Sequence, residues 1–128
     1  MNGRQRYYAK AARKKDELTK TERSYQNHLI SMKSAGLIAE WWREPFNIRL
    51  TSGAYYKADF MVQRVDGVLE IHEVKGSVGV IEEKTILKAK LVAENLPFRM
   101  IIVWPRTKHS GGGWECRNFT DELQLQLI

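Results

Sequence analysis

The first regular pattern along the chain is helical. Thr19 followed by Glu22 fits a capping box, in which the threonine side chain accepts a hydrogen bond from the main chain three residues on. The helix would run to about residue 35, because Gly36 is typical of the position just past a helix end. Four apolar side chains recur at helical spacing and form its buried face: Leu18, Tyr25, Leu29 and Met32.

Between residues 37 and 64 the pattern changes to strands. One extended stretch leads to a turn at residues 51–53, and a second strand runs from Tyr55 to Arg64. Neighbouring side chains on a strand point to opposite faces, so Trp41 and Trp42 cannot both face one core. An exposed apolar side chain often marks an interface, and we therefore expect a homodimer formed through this sheet or through a helix.

Asp66-Gly67 indicates a hairpin that leads into a third strand from Val68 to Lys75. An amphipathic helix over residues 81–95 follows, and Pro97 stops it. Its apolar positions are Ile81, Leu87, Leu91 and Val92.

The last third of the chain begins with residues 98–104, an apolar strand of the kind buried on both faces. A loop over residues 106–113, a short strand over 114–119 and a helix with Thr120 as N-cap complete the pattern. The order of elements predicts an α/β fold, a mixed β-sheet flanked by helices. It includes one β-α-β crossover that is expected to be right-handed.

The length and the charge of the chain indicate its domain organisation and the class of its binding partner. The 128 residues suit a single domain. We divide it into a basic N-terminal arm or helix at 1–18, a core at 19–104, and a loop and C-terminal extension at 105–128. Residues 1–20 hold seven Lys or Arg and two acids, so five of the six net positive charges lie there. This segment is either a solvated tail or an arm that contacts a polyanion.

Several function classes are disfavoured by what the sequence lacks. The single cysteine, Cys116, cannot form an internal disulfide, which favours a reduced, cytoplasmic setting. No long apolar run or signal peptide is visible, so we expect no membrane partner. The sequence has no Cys/His cluster of the kind that binds zinc. It also has no glycine-rich loop followed by Lys-Ser/Thr of the kind that binds ATP.

The candidate chemistry lies on the second and third strands. Glu73 and Lys75 share a face by alternation, near the strand's end. A two-residue hairpin loop would pair position 59 with position 74 and turn Asp59 to the wrong face. A three-residue loop with Gly67 in the left-handed conformation pairs Asp59 with Glu73 instead, about 5 Å apart at Cβ. We predict this bulged loop. The alternative for the Glu-x-Lys spacing is an ordinary surface ion pair.

Two neighbouring carboxylates with a main-chain carbonyl suit Mg²⁺, which prefers oxygen ligands. Such a metal polarises a phosphate and lowers the pKa of an attacking water. Lys75 would orient that water or balance the charge that develops on the phosphate.

The run Ala58-Asp59-Phe60, followed by Glu73-Val74-Lys75, resembles the signature of the PD-(D/E)xK nuclease superfamily, with Ala58 in place of the usual proline. The wider segments 55–60 and 69–76 resemble small phage proteins of this superfamily and archaeal-type Holliday junction resolvases, which are small, basic and dimeric. The resemblance covers roughly residues 19–104. It implies a restriction-endonuclease-like core and Mg²⁺ as cofactor, with Mn²⁺ as a substitute.

The resemblance also implies a site. The expected catalytic residues are Glu22, Asp59, Glu73 and Lys75, and the expected metal ligands are Asp59, Glu73, Val74 and Glu22. Glu22 matches by its place on the first helix, although the long segment between it and Asp59 departs from the family pattern. It is equally the acid of the capping box, and one residue can serve both roles.

Candidate DNA contacts come from the arm, from a turn, from the second helix and from the late loop: Arg4, Arg6, Lys10, Arg13, Lys14, Ser52, Lys88, Arg106 and Lys108. For Ser52 the simpler interpretation is a turn residue, and for Lys88 a solvated helix face. His72 should face away from Glu73, and it is more simply a packed histidine than a general base.

The sequence thus favours a Mg²⁺-dependent endonuclease that cuts branched DNA as a dimer, with a four-way (Holliday) junction as the expected substrate. It would act in the cytoplasm, or in that of the host cell if a phage encodes it. The alternatives are a restriction-like, flap or nicking nuclease of the same superfamily, and a non-catalytic DNA-binding protein.

Overall fold

A computed structural model of the chain describes residues 17–126. The predictions made for residues 1–16, including DNA contacts by Arg4, Arg6, Lys10, Arg13 and Lys14, lie outside the described residues. The elements in chain order are α1 (Lys20–Ser34), β1 (Ile38–Arg43), β2 (Asn47–Thr51), β3 (Ala54–Lys57), β4 (Phe60–Arg64), β5 (Leu69–Val74), α2 (Glu83–Asn95), β6 (Arg99–Pro105), β7 (Trp114–Asn118) and α3 (Phe119–Gln126).

The fold is α/β, with a five-stranded mixed sheet flanked by helices, as predicted. The strand order is β1-β4-β5-β6-β7, and β2 pairs with β3 in a separate two-stranded sheet. β5 and β6 are parallel neighbours joined through α2, which confirms the predicted crossover connection. Within residues 17–126, no helix combines the length and the apolar character needed to cross a membrane.

The helix α1 begins and ends as its sequence predicts. Thr19 Oγ1 accepts a hydrogen bond from the Glu22 main-chain N–H at 3.1 Å. At the other end Gly36 takes φ +73°, and the N–H of Leu37 reaches the carbonyl of Met32 at 2.9 Å. This closing pattern satisfies carbonyls that the last turn would leave without partners. Of the predicted apolar face, Tyr25 and Leu29 are buried, and Leu18 and Met32 are partly buried against them.

The predicted long strands between residues 37 and 64 are wrong in one respect, because each of them is divided. The first breaks at Glu44-Pro45 between β1 and β2, and the second breaks at Ala58-Asp59 between β3 and β4. Tyr56 belongs to the core on one face of the main sheet and Phe60 to the core on the other. Residues four apart on an uninterrupted strand point to the same face, so the chain must turn between them.

The predicted division of the two adjacent tryptophans is confirmed. The Trp41 ring lies 6.2 Å from the Phe60 ring and packs against the α1-side core, whereas Trp42 is 41% exposed. Both residues are on β1, an edge strand of the main sheet.

The hairpin between β4 and β5 has the predicted three-residue loop. The Arg64 N–H donates to the Val68 carbonyl at 2.9 Å, and Gly67 takes φ +90°. The pairs Phe60–His72 and Met61–Ile71 set the register. The pairing ends at Phe60–His72, and one further step in the same register would set Asp59 opposite Glu73, as the bulged loop requires.

Two cores sandwich the main sheet. The α1 side buries Tyr25, Leu29, Phe60, Val62, Val74, Ile101 and Val103. The α2 and α3 side buries Tyr56, Met61, Ile71, Ala89, Val92, Met100, Ile102 and Phe119. β6 contributes to both cores, which confirms that it is buried on both faces.

Two details of the second half differ from the sequence prediction. Leu87 is 59% exposed, because α2 faces the sheet with Ala89 and Val92, and Leu87 lies outside that stripe. The last helix begins at Phe119, where Asn118 Oδ1 accepts the Asp121 N–H at 2.9 Å, so Asn118 and not Thr120 is the cap.

Candidate active site

Asp59 lies between β3 and β4, at the end of the main sheet, and two main-chain hydrogen bonds hold it. Its Oδ2 accepts the Val74 N–H at 2.9 Å, which ties the side chain to the strand that carries Glu73. Its carbonyl accepts the Glu44 N–H at 2.8 Å. Glu44 takes φ +44° and is the one non-glycine with positive φ in residues 17–126. Such backbone conformations are costly and cluster at functional sites.

Glu73 is held by a partner on each of its oxygens. Lys75 Nζ lies 3.4 Å from Oε1, and the Tyr56 hydroxyl donates to Oε2. The side chain of Glu73 is 12% exposed, so both contacts act in a largely dehydrated environment where they are stronger than in water. The predicted common face of Glu73 and Lys75 is confirmed by this ion pair.

The pKa of Asp59 is raised to about 7, well above the usual value for an aspartate. Burial is the largest cause, the neighbouring Glu73 carboxylate also raises the pKa, and Glu22 adds a smaller contribution. The Val74 N–H and Lys75 lower the pKa without offsetting these effects.

The Glu22 carboxylate makes a small contribution to the raised pKa of Asp59. The Glu22 main-chain N–H donates to the Thr19 side chain, which confirms the predicted cap. Within residues 17–126, no hydrogen bond joins the Glu22 carboxylate to Asp59 or Glu73, and its role as a catalytic residue and metal ligand stays a prediction.

Among the described residues, no group of three or more His, Cys, Asp or Glu side chains is arranged to hold a metal ion. The chemistry of the donors nevertheless fits a hard cation. Asp59 and Glu73 are adjacent carboxylates, and a cation bound to them would offset the repulsion that raises the pKa of Asp59. A main-chain carbonyl such as that of Val74, with water, would complete an oxygen ligand set.

Comparison with known proteins finds no match: no protein-family model, no curated protein and no solved structure is similar to the chain. The chemistry of this site is therefore argued from its own residues.

Two side chains near the site carried no sequence signal. Tyr56 is buried and contacts Glu73, but a tyrosine three residues before an aspartate fits an ordinary strand pattern. Arg43 ends β1 directly opposite Phe60, the residue after Asp59. Its Nε and Nη2 are buried and have no hydrogen-bond partner within residues 17–126. Buried donors of this kind are costly to leave unpaired, and a guanidinium is well suited to phosphate oxygens.

His72 faces away from Glu73, as predicted. Its Nδ1 lies 2.6 Å from the Tyr25 hydroxyl and its Nε2 lies 3.0 Å from Glu70 Oε1. The contact with Tyr25 joins α1 to β5 in the core on the side away from Tyr56, and the contact with Glu70 lies within β5, so His72 is a packed histidine.

The other candidate DNA contacts lie apart from the carboxylates. Ser52 is exposed in the turn between β2 and β3, and Lys88 is half-buried on α2. Arg106 Nε pairs with Glu115 at 3.3 Å, and Lys108 lies in a short 3-10 turn. No ion pair between described residues joins these side chains to Asp59 or Glu73.

Proposed function

We propose that this chain is a metal-dependent nuclease that hydrolyses phosphodiester bonds in DNA. The observation that carries the proposal is the pairing of Asp59 with Glu73 at the end of the sheet, with Lys75 on Glu73 and the pKa of Asp59 raised to about 7. Buried carboxylates held side by side are destabilising unless a bound cation balances their charge. Perturbed pKa values of this kind concentrate at functional sites.

Each side chain has a defined part in this proposal. Asp59 and Glu73 would hold the metal, with the Val74 carbonyl and Glu22 as further donors. Mg²⁺, or Mn²⁺ in its place, supplies Lewis-acid polarisation of the phosphate. Tyr56 fixes the orientation of the Glu73 carboxylate, as groups that hydrogen-bond to metal ligands do.

Lys75 acts on the reacting phosphate. Hydrolysis forms a bond from a water oxygen to phosphorus and breaks the bond from phosphorus to a sugar oxygen, which leaves with a proton. The Lys75 ammonium orients the water or balances the charge that builds up on the phosphate.

The proposed substrate is branched DNA, with a four-way junction as the specific case. Support comes from the resemblance of the motif segments to Holliday junction resolvases, the net charge of +6, and the basic residues of the arm. A four-way junction is two-fold symmetric, so cutting two opposed strands requires a dimer with two sites. Recognition would rely on the phosphate backbone and on the shape of the DNA, and affinity would fall with salt.

One assay tests the chemistry and the substrate together. A four-way junction and a linear duplex of the same sequence are incubated with Mg²⁺ and wild type, Asp59→Asn or Asp66→Asn. Asp66 is an exposed aspartate at the far hairpin and serves as the matched control. We expect junction cleavage by wild type and Asp66→Asn, and a rate at least about 100-fold lower for Asp59→Asn.

The contrary outcomes separate the alternatives. Cleavage of neither substrate, or equal rates for Asp59→Asn and wild type, would refute the nuclease. Cleavage of the duplex alone would refute the resolvase and favour a restriction-like or nicking enzyme.

A DNA-binding protein without activity is the second candidate. One observation favours it: no three-ligand group stands ready among residues 17–126, so the Lys75–Glu73 contact would then be a structural ion pair. That protein would bind both substrates equally well with and without Mg²⁺.

A further inference from the structure

The hairpin of β2 and β3 is a separate two-stranded sheet attached to the site by one of its faces. Ile48 stands opposite Tyr56 in the hairpin register, and both point inward. Phe46, Ile48 and Leu50 pack against the core on the α2 side. The inward face is therefore used for anchoring, and Tyr56 extends it to Glu73.

The outward face of the same hairpin combines an aromatic ring with positive charge. Arg49 and Tyr55 form a cross-strand pair, and both are exposed, Tyr55 to 51%. Directly opposite residues on paired strands have Cβ atoms about 5 Å apart, so the guanidinium and the ring share one patch. Asn47 and Lys57 form the next pair on this face and are exposed as well.

The charge of the hairpin has one sign. Residues 45–57 contain Arg49 and Lys57 and no acidic residue. Lys57 Nζ lies 3.4 Å from Glu44, but that pair is solvent-exposed on the lysine side and is worth little. Arg49 forms no ion pair with any of residues 17–126.

The patch is also close to the reacting groups along the chain. Tyr55 and Tyr56 are neighbours on β3, so one ring points outward while the other reaches Glu73 on the inner side. The outward patch and the carboxylates therefore lie on opposite sides of the hairpin.

We propose that the outward face of the hairpin binds an unpaired nucleotide of the DNA substrate, with the base stacked on Tyr55 and its phosphate on Arg49. A flat ring beside a guanidinium fits the π-face and the phosphate of one nucleotide, and a base inside a duplex cannot present that face. The inference rests on the proposed function, and it sharpens the substrate class to DNA that contains unpaired nucleotides.

The test is a binding measurement that needs no cleavage. Fluorescence anisotropy of the full chain in EDTA is recorded with three labelled DNAs: a single-stranded oligonucleotide, a splayed duplex with unpaired tails, and a linear duplex. The variants are Tyr55→Ala, Tyr55→Phe and Arg49→Ala. Val65→Ala and Arg64→Ala at the far hairpin are matched controls, since both residues are exposed there.

Tyr55→Ala should weaken binding of the single strand and of the splayed duplex by about tenfold, in the range that loss of one stacked base gives, and leave the linear duplex nearly unchanged. Tyr55→Phe keeps the ring and should bind like wild type. Arg49→Ala should weaken binding to all three DNAs and reduce the salt dependence of the affinity by about one charge.

Three results would overturn the inference: Tyr55→Ala within twofold of wild type on every DNA, an equal loss on the linear duplex, or the same losses from Val65→Ala or Arg64→Ala. Circular dichroism and thermal unfolding establish that each variant is folded. Because EDTA prevents cleavage, failure here leaves the nuclease untouched. Conversely, Tyr55→Ala could lose binding while the wild type shows no Mg²⁺-dependent cleavage. That pair of results would refute the nuclease and support the nucleotide-binding face.

Discussion

The Tyr56 hydroxyl donates a hydrogen bond to Oε2 of Glu73, so the phenol and the carboxylate form one buried unit across two sheets. Tyr56 belongs to the β2–β3 hairpin and Glu73 to the main sheet. Burial together with the Glu73 and Asp59 carboxylates raises the pKa of Tyr56 well above its ordinary value, so the phenol stays protonated and remains a donor. The hairpin thereby fixes one oxygen of a proposed metal ligand.

Tyr56→Phe removes this donor and keeps the ring in the core. We expect the Mg²⁺ concentration for half-maximal cleavage to rise about 10-fold or more, because groups that hydrogen-bond to metal ligands have effects of this size. The free energy of unfolding should fall by about 1–2 kcal/mol. Tyr25→Phe, which removes a buried hydroxyl on the other face of the sheet, is the control. It should lose similar stability and keep the wild-type Mg²⁺ dependence, and an equal shift in both variants would contradict the prediction.

The raised pKa of Asp59 predicts a pH dependence of stability. The folded state holds the Asp59 proton up to about pH 7, whereas the unfolded chain releases it near pH 4. Between these values the folded state binds more protons, so this group makes the free energy of unfolding fall as pH rises from about 4 to about 7. Below pH 4 Asp59 is protonated in both the folded and the unfolded state, so it does not lower the free energy of unfolding there.

Asp59→Asn removes that penalty. Urea unfolding without metal should show the variant equal to wild type near pH 4 and more stable than wild type at pH 8. Asp66→Asn should show no such trend. A wild-type advantage at pH 8 in metal-free buffer would contradict the raised pKa of Asp59.

Lys75 is the cation of the site that directly pairs with a carboxylate, at 3.4 Å from Glu73. Lys75→Gln should lower the cleavage rate by about 100- to 1,000-fold, as loss of one group that stabilises transition-state charge does. Mg²⁺ affinity should change little. Lys84→Gln is the control, since Lys84 is a 76% exposed lysine on α2 that pairs with Glu82. Cleavage by Lys75→Gln at the wild-type rate would remove Lys75 from the mechanism.

Trp42 is the exposed aromatic on the edge strand β1, and we expect it to lie in a homodimer interface. Sedimentation velocity at micromolar concentration should show a dimer for wild type and a monomer for Trp42→Lys. Leu87→Lys, at an apolar position on α2 that is 59% exposed, should remain dimeric. A wild-type protein that sediments only as a monomer would exclude the interface.

Gly67 sets the register that brings Asp59 opposite Glu73. Its φ of +90° disfavours any side chain, although a Cβ at this position would meet no atom within 4 Å. Gly67→Ala should therefore cost about 1 kcal/mol through backbone strain alone. Gly79→Ala has equal space and an ordinary φ, and it should change the free energy of unfolding by less than about 0.5 kcal/mol. Equal unfolding midpoints for the two variants would argue against the bulged loop.

The sequence by itself determined the features that depend on near neighbours. Thr19 caps α1 and Gly36 ends it because capping and left-handed closure are local chemistry. The common face of Glu73 and Lys75 follows from the two-residue repeat of a strand. The opposition of Asp59 and Glu73 follows from one glycine in a three-residue loop.

Only the tertiary structure decided where the chain leaves one sheet for another. Tyr56 and Phe60 read as one strand, but their burial in different cores forces the break at Ala58-Asp59 and frees the hairpin as a separate sheet. That break puts the Tyr56 hydroxyl on Glu73, and the pairing of β1 with β4 places Arg43 opposite Phe60. These contacts join residues that are far apart in the chain and depend on which surfaces are buried together. A local pattern of polar and apolar positions does not specify which element packs against which face of the sheet.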